Sequence, residues 1–109
     1  MITLVTLHIV HEPNRDQALW LLKRNTELAR QAKGFVSRDI LFSRKDPSKG
    51  YSITTWESEA DMDRFLQSPD RPPLEYEGEE TRVYLKTSQG RLLLFSRTDS
   101  DRYDPVPVP

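Results

Sequence analysis

The chain contains no cysteine. That excludes disulfides, thiolate nucleophiles, iron–sulfur clusters and cysteine-based zinc sites, and it fits a reducing compartment such as the cytoplasm. Glycine is scarce, with only 4 scattered along 109 residues. No G-x-G-x-x-G, Walker loop or G-x-S-x-G is present, so dinucleotide, P-loop and serine-hydrolase chemistry find no support. Histidine is limited to His8 and His11. Their spacing puts them on opposite faces of a strand, which argues against a two-histidine metal site. Charge of one sign is missing too: 16 basic and 17 acidic residues leave a net charge of -1. A surface that tracks phosphates needs a basic excess on one face, so no nucleic-acid partner is expected. No apolar run approaches the ~20 residues that span a bilayer. The segment MITLVTLHIVHEP lacks the basic leader and small-residue cleavage site of a secretory signal. The expectation is a cytoplasmic protein with no membrane partner.

What is present suits one domain. Hydrophobic residues reach 36% and charged residues 30%, a polar balance that predicts some loop or tail. Ile2 to Val10 alternates β-branched and polar residues, which favours a strand ended by Pro13. Asn14 to Lys33 predicts a helix: Asn14 as N-cap, Gln17 completing a box-like pattern, and Ala18, Leu21, Leu22, Leu28, Ala29 and Ala32 as the apolar stripe. Gly34 suits a left-handed C-cap. Phe35–Arg44 and Tyr51–Trp56 read as a hairpin around Asp46-Pro47-Ser48-Lys49-Gly50. Ser58 predicts the N-cap of a second helix carrying Ala60, Met62, Phe65 and Leu66, closed by Ser68-Pro69. Residues 69–80 read as loop. Val83–Thr87 and Arg91–Arg97 are strand candidates, and Leu92-Leu93-Leu94-Phe95 reads as buried on both faces. From Asp99 the alternating prolines and charges predict an extended tail. The domain boundaries are therefore 1–98 and 99–109.

The order strand–helix–strand–strand–helix–strand predicts an α+β, ferredoxin-like βαββαβ fold with a four-stranded antiparallel sheet. Two helices cover one face. The other would expose Val5, Leu7, Ile9 and members of the 92–95 run, a liability for a monomer. A homodimer would cover it; the alternative cover is the tail or the 69–80 loop. Trp20, off the stripe of the first helix, reads as a packing or dimer contact.

Period-two alternation places Ser52, Thr54 and Trp56 on one face of the third strand. If that face meets the helices beside Thr6 and His8, the buried layer holds hydroxyls, an imidazole and an indole. Unpaired, each buried polar group costs about 1–3 kcal/mol, so such a cluster points to a pocket. Satisfied strand hydroxyls and a hydrogen-bonded core histidine are the plainer alternative. Trp56 is either a core anchor or a wall for a flat ligand. His8 is a candidate proton acceptor. Leu22 and Phe65 on the two helices are candidate apolar walls of the same pocket.

Three stretches then carry a family likeness: Gly34-Phe35 at the helix-to-strand junction, Asp46-Pro47 in the hairpin, and Thr55-Trp56-Glu57-Ser58-Glu59-Ala60 entering the second helix. Together they resemble the antibiotic biosynthesis monooxygenase superfamily, the dimeric α/β-barrel proteins, over residues 2–97. The resemblance implies oxidation of electron-rich, anthrone-like aromatic or polyketide molecules by molecular oxygen, with no metal, flavin or other cofactor. It implies Trp56 as the strand-end tryptophan of those enzymes, and Ser52 and Thr6 at the positions of two family asparagines, with Thr54 as a further polar contact. A hydroxyl has one donor and a shorter reach than an amide. The haem-degrading branch carries a histidine in or just after the second helix, and residues 57–80 contain none. The competing class is a non-enzymatic dimeric binding or interaction module of the same fold.

Overall fold

A computed structural model describes residues 1–109. The first strand, β1 (Ile2–Val10), ends at a 3-10 turn over Glu12–Asn14 that contains Pro13. Helix α1 (Arg15–Arg30) follows, with Ala18, Leu21, Leu22, Asn25 and Ala29 buried. Asn14 stands at its N-cap position but forms no side-chain cap. Its amide nitrogen instead donates to the Leu93 carbonyl at 2.8 Å, so a long-range tie replaces the expected box with Gln17. The helix also ends at Arg30, short of the expected Lys33.

Strands β2 (Phe35–Phe42) and β3 (Lys49–Trp56) form the expected hairpin, and α2 (Glu59–Leu66) follows. Ser58 caps α2, accepting from the Asp61 N–H at 3.1 Å while its hydroxyl donates to the Asp61 carboxylate at 2.9 Å. Gly34 makes this junction sterically feasible. It adopts φ +84°, and a Cβ there would stand 2.3 Å from an Asp61 oxygen. Its carbonyl accepts from Glu57 N–H at 2.7 Å.

Residues 69–80 are not all loop: Leu74–Glu77 is a short strand, β4, paired with β5 (Arg82–Thr87). The last strand, β6, runs from Gly90 to Tyr103. The sheet order is β2-β3-β1-β6-β5-β4, with each pairing antiparallel. The ferredoxin-like fold is there, with β2-β3-β1-β6 as its four strands. The β4–β5 hairpin widens the sheet to six strands rather than four. The predicted tail boundary at Asp99 is corrected as well, because Asp99–Tyr103 pairs with Leu7–Thr3. Pairing with β1 holds this charged ribbon in a strand, and only Asp104–Pro109 lies beyond it.

β6 serves two partners. Its first half pairs with β5 and its second with β1. Between them Ile9 faces Arg97 and Val10 faces Phe95, leaving Ser96 as an extra residue. This bulge resets the alternation. Phe95 joins Val10 on the helix side, and Thr98 and Ser100 line up there with His8 and Thr6. Of the 92–95 run, Leu94 and Phe95 are fully buried and Leu92 and Leu93 half-buried.

Between sheet and helices the apolar residues divide into two clusters. One gathers Val10, Ala18, Leu21, Leu22, Val83, Leu94 and Phe95. The other gathers Ile2, Ala29, Trp56, Met62 and Phe65. A row of buried polar side chains runs through the same layer: Thr6, His8, Asn25, Ser52 and Thr54. No helix is long and apolar enough to cross a membrane.

Candidate functional site

Strand register builds the site. β1 and β3 pair with Ile2 opposite Trp56, Leu4 opposite Thr54 and Thr6 opposite Ser52. One face of two adjacent strands thus presents the hydroxyls, the imidazole and the indole to the helices. They line a cavity of about 130 Å³. Thr6, His8, Leu22, Ser52, Thr54, Trp56 and Phe65, all expected from the sequence, line it together.

Most of the polar groups have a definite partner on one side. His8 Nε2 and Ser52 Oγ are 2.8 Å apart, and Thr6 Oγ1 and Ser100 Oγ 2.9 Å apart. Arg38 donates to Thr54 Oγ1 at 2.7 Å and to Thr26 Oγ1 at 2.8 Å. Thr26 in turn donates to the Leu22 carbonyl, one turn back in α1. Arg38 is thereby held between helix and sheet. The aromatic wall is equally fixed. Trp56 is 1% exposed, with its ring centroid 5.0 Å from Phe65 and 5.9 Å, edge-on, from Phe35. The His8 and Phe95 centroids lie 4.7 Å apart. Arg71, in the segment after α2, donates to the Leu66 carbonyl at 3.0 Å and sits over the Phe65 ring.

On the other side the partners run out. Four buried side-chain atoms lack a hydrogen bond: His8 Nδ1, Asn25 Oδ1, Arg71 Nε and Thr98 Oγ1. All four residues line this one cavity. Buried polar atoms are ordinarily paired, so their concentration here marks this cavity as the polar part of the interior.

Burial sets the electrostatics. It lowers the His8 pKa from 6.5 to about 4, and the nearby Arg38 charge adds to the effect. His8 is therefore a neutral imidazole at pH 7, able to accept or donate according to tautomer. Arg38 is lowered to about 10, first by burial and then by the charge of Arg71, and it stays cationic. No three His, Asp or Glu side chains come together in a way that could hold a metal ion. The arrangement can orient a flat ring against Trp56 and Phe65, offer hydroxyl donors from the sheet, and exchange a proton at His8.

Sequence reasoning missed Asn25, Arg38, Arg71, Thr98 and Ser100. One of these carried a signal. Asn25 continues the Ala18–Leu21–Leu22 stripe by helical spacing, whereas Arg38 comes to face Thr54 only through the shifted β2–β3 register. Arg71 lies in irregular backbone and carried none. Trp20, expected in a packing or dimer contact, is 48% exposed in the single chain.

Comparison with solved structures returns the same architecture. The chain is 17% identical to a crystal structure of an antibiotic biosynthesis monooxygenase, with a TM-score of 0.67 over 98% of this chain and 100% of that one. It is 15% identical to SnoaB, a cofactor-independent oxygenase from Streptomyces nogalater, with a TM-score of 0.70 over 98% and 94%. It is 16% identical to Rv0793 from Mycobacterium tuberculosis, with a TM-score of 0.70 over 98% and 96%. At these identities the likeness is one of fold. No curated protein matches the sequence. The antibiotic biosynthesis monooxygenase family model matches residues 1–71, from β1 through the Trp56 strand end to Arg71, and the chain belongs to that family.

Proposed function

We propose that this protein is a cofactor-independent, monooxygenase-like enzyme that oxidises a small electron-rich aromatic molecule with molecular oxygen. The observation that carries this reading is the single cavity in which Trp56, the His8–Ser52 pair and all the unpartnered buried polar atoms meet. Family membership and the fold shared with a cofactor-independent oxygenase support it.

The reaction is a ring CH2 plus O2 giving a carbonyl plus water. A base removes a C–H proton, the carbanion reduces O2 to a hydroperoxide, and the hydroperoxide loses water. With the proton on Nε2 and donated to Ser52, His8 Nδ1 presents a lone pair to the cavity and is the base. Its low pKa makes it a weak one, so the substrate must be a strong carbon acid, such as a hydroxylated aromatic ketone. Arg38 stabilises the enolate that forms, a charge held close to fixed dipoles in a dry site. Thr6, Ser52 and Thr54 orient oxygens of the substrate. Trp56, Phe65 and Leu22 hold the ring.

The functional unit in this reading is a homodimer in the cytoplasm. The sheet face opposite the helices carries Val5, Leu7, Leu41, Tyr51 and Ile53 side by side, and Leu41 is 54% exposed. A second copy covers such a patch.

Oxygen uptake tests the enzymatic reading, with a substrate panel that runs from one-ring hydroxylated aromatic acids to naphthohydroquinones and anthrones. Consumption above the uncatalysed rate is expected, slowed by at least about tenfold in Trp56→Phe and Ser52→Ala. No uptake by the native protein overturns it. The second reading is a non-enzymatic binding module, favoured by Thr6 and Ser52 standing where the family has asparagines. It gives ligand binding without oxygen consumption.

A further inference from the structure

The charge around the cavity is one-sided. Arg38 and Arg71 line it, and no aspartate or glutamate does. Arg15, Arg24, Arg64, Arg82, Arg91 and Arg102 all have carboxylate partners. The two cavity arginines have only neutral ones. Arg38 is bonded to the hydroxyls of Thr26 and Thr54. Arg71 donates through Nη1 to the Leu66 carbonyl, and its Nε is buried without a partner.

The orphaned atom is informative. In a guanidinium, Nε and Nη2 form the edge that meets a carboxylate through two parallel hydrogen bonds. Nη1, the atom already engaged, lies off that edge. Arg71 is thus fixed to Leu66 and over Phe65 in a way that leaves Nε, and with it the bidentate edge, without a protein partner. Arg38 and Arg71 are half-buried, and an anion between them would supply the counter-charge that the lining lacks. Size narrows the ligand further. A cavity of about 150 Å³ takes up benzene, so about 130 Å³ suits a single ring.

We propose that the ligand of this cavity is an ionised aromatic or conjugated carboxylic acid of about one ring, its carboxylate held by the Nε–Nη2 edge of Arg71 with Arg38 behind, and its ring against Phe65 and Trp56. The proposal rests on the cavity being the substrate site, and it sets the substrate class apart from uncharged polyketides. Arg71 binds and positions. The proton step stays with His8.

The test uses Trp20→Phe protein, which leaves Trp56 as the sole indole, so its fluorescence reports entry into the cavity. Benzoate and benzamide share shape and size and differ in charge. Benzoate is expected to bind at least about tenfold more tightly at pH 7, as a charged hydrogen-bonded pair should. In Arg71→Gln the ratio is expected to fall to near unity with benzamide binding unchanged. Arg71→Lys, which keeps the charge without the edge, is expected to give an intermediate ratio, and it covers the case in which Arg71→Gln does not fold. Equal binding of the two compounds, a benzoate preference untouched in the variants, or no binding of either at millimolar concentration overturns the proposal. Failure of the oxygenase reading looks different, since carboxylate selectivity would then persist with no oxygen uptake from any substrate.

Discussion

Along their middle stretch, the two faces of β1 and β3 are the reverse of an ordinary half-exposed sheet. The covered face presents Thr6, His8, Ser52 and Thr54, all buried. The open face presents Val5, Leu7, Tyr51 and Ile53, with Leu41 beside them on β2. Half-exposed antiparallel sheets normally place apolar residues inward and polar ones outward. Reversal on both faces of the same strands has one economical meaning. In the function proposed above, polarity inside belongs to the substrate site, and apolarity outside belongs to the proposed dimer surface.

The comparison breaks most visibly on the open face. In the proposed dimer, Ile53→Glu would put an unpaired carboxylate into each half of a symmetric contact, a burial that costs several kcal/mol. It is expected to convert a dimer to a monomer, with dissociation raised by about a thousandfold, read by light scattering after size exclusion. A native protein that is already monomeric at micromolar concentration removes the partner surface from the argument.

Inside, Trp56→Ala should cost about 3–5 kcal/mol in urea unfolding, because that indole anchors one of the two apolar clusters. The polar row should show itself through pH. Unfolded His8 ionises near 6.5 and folded His8 near 4. Between those values the unfolded chain binds a proton that the folded chain refuses. Stability should therefore fall as pH drops from about 6.5 to about 4, by about 3 kcal/mol in all, and His8→Gln should lose that component. Ser52→Ala strands His8 Nε2 and should cost about 1–2 kcal/mol. The smallest effect belongs to Trp20→Ala on the exposed side of α1, expected within about 0.5 kcal/mol and leaving the covered face as it is.

What could be read from the sequence follows from period and locality. Two alternating strands, with Trp56 closing the second, were enough to place Thr6, His8, Ser52 and Thr54 on one face. Ser58 and Asp61 announced the start of α2. The rest depended on contacts far apart in the chain. Thr6 and Ser100 bond across 94 positions, and nothing local in Asp-Ser-Asp-Arg-Tyr says that β1 will hold it as a strand. Asn14 satisfied every local rule for a helix cap and yet bonds to Leu93, 79 residues on. Arg38 was obscured by the register shift between Phe35 and Ser37, which upsets simple counting along β2. Arg71 owes its place to irregular backbone after α2, where neither period applies. The cationic side of the cavity was therefore the part least legible from sequence.

The extra residue at Ser96 has an electrostatic outcome. If Ser96 paired with Ile9 instead of bulging, the ladder continued from Phe95 opposite Val10 would set Arg97 against His8, Asp99 against Thr6 and Asp101 against Leu4, all on the helix side. Two carboxylates would then stand over the arginines, while Thr98 and Ser100 turned to the open face. A one-residue kink in the last strand thus keeps two carboxylates away from the opening that greets an incoming molecule.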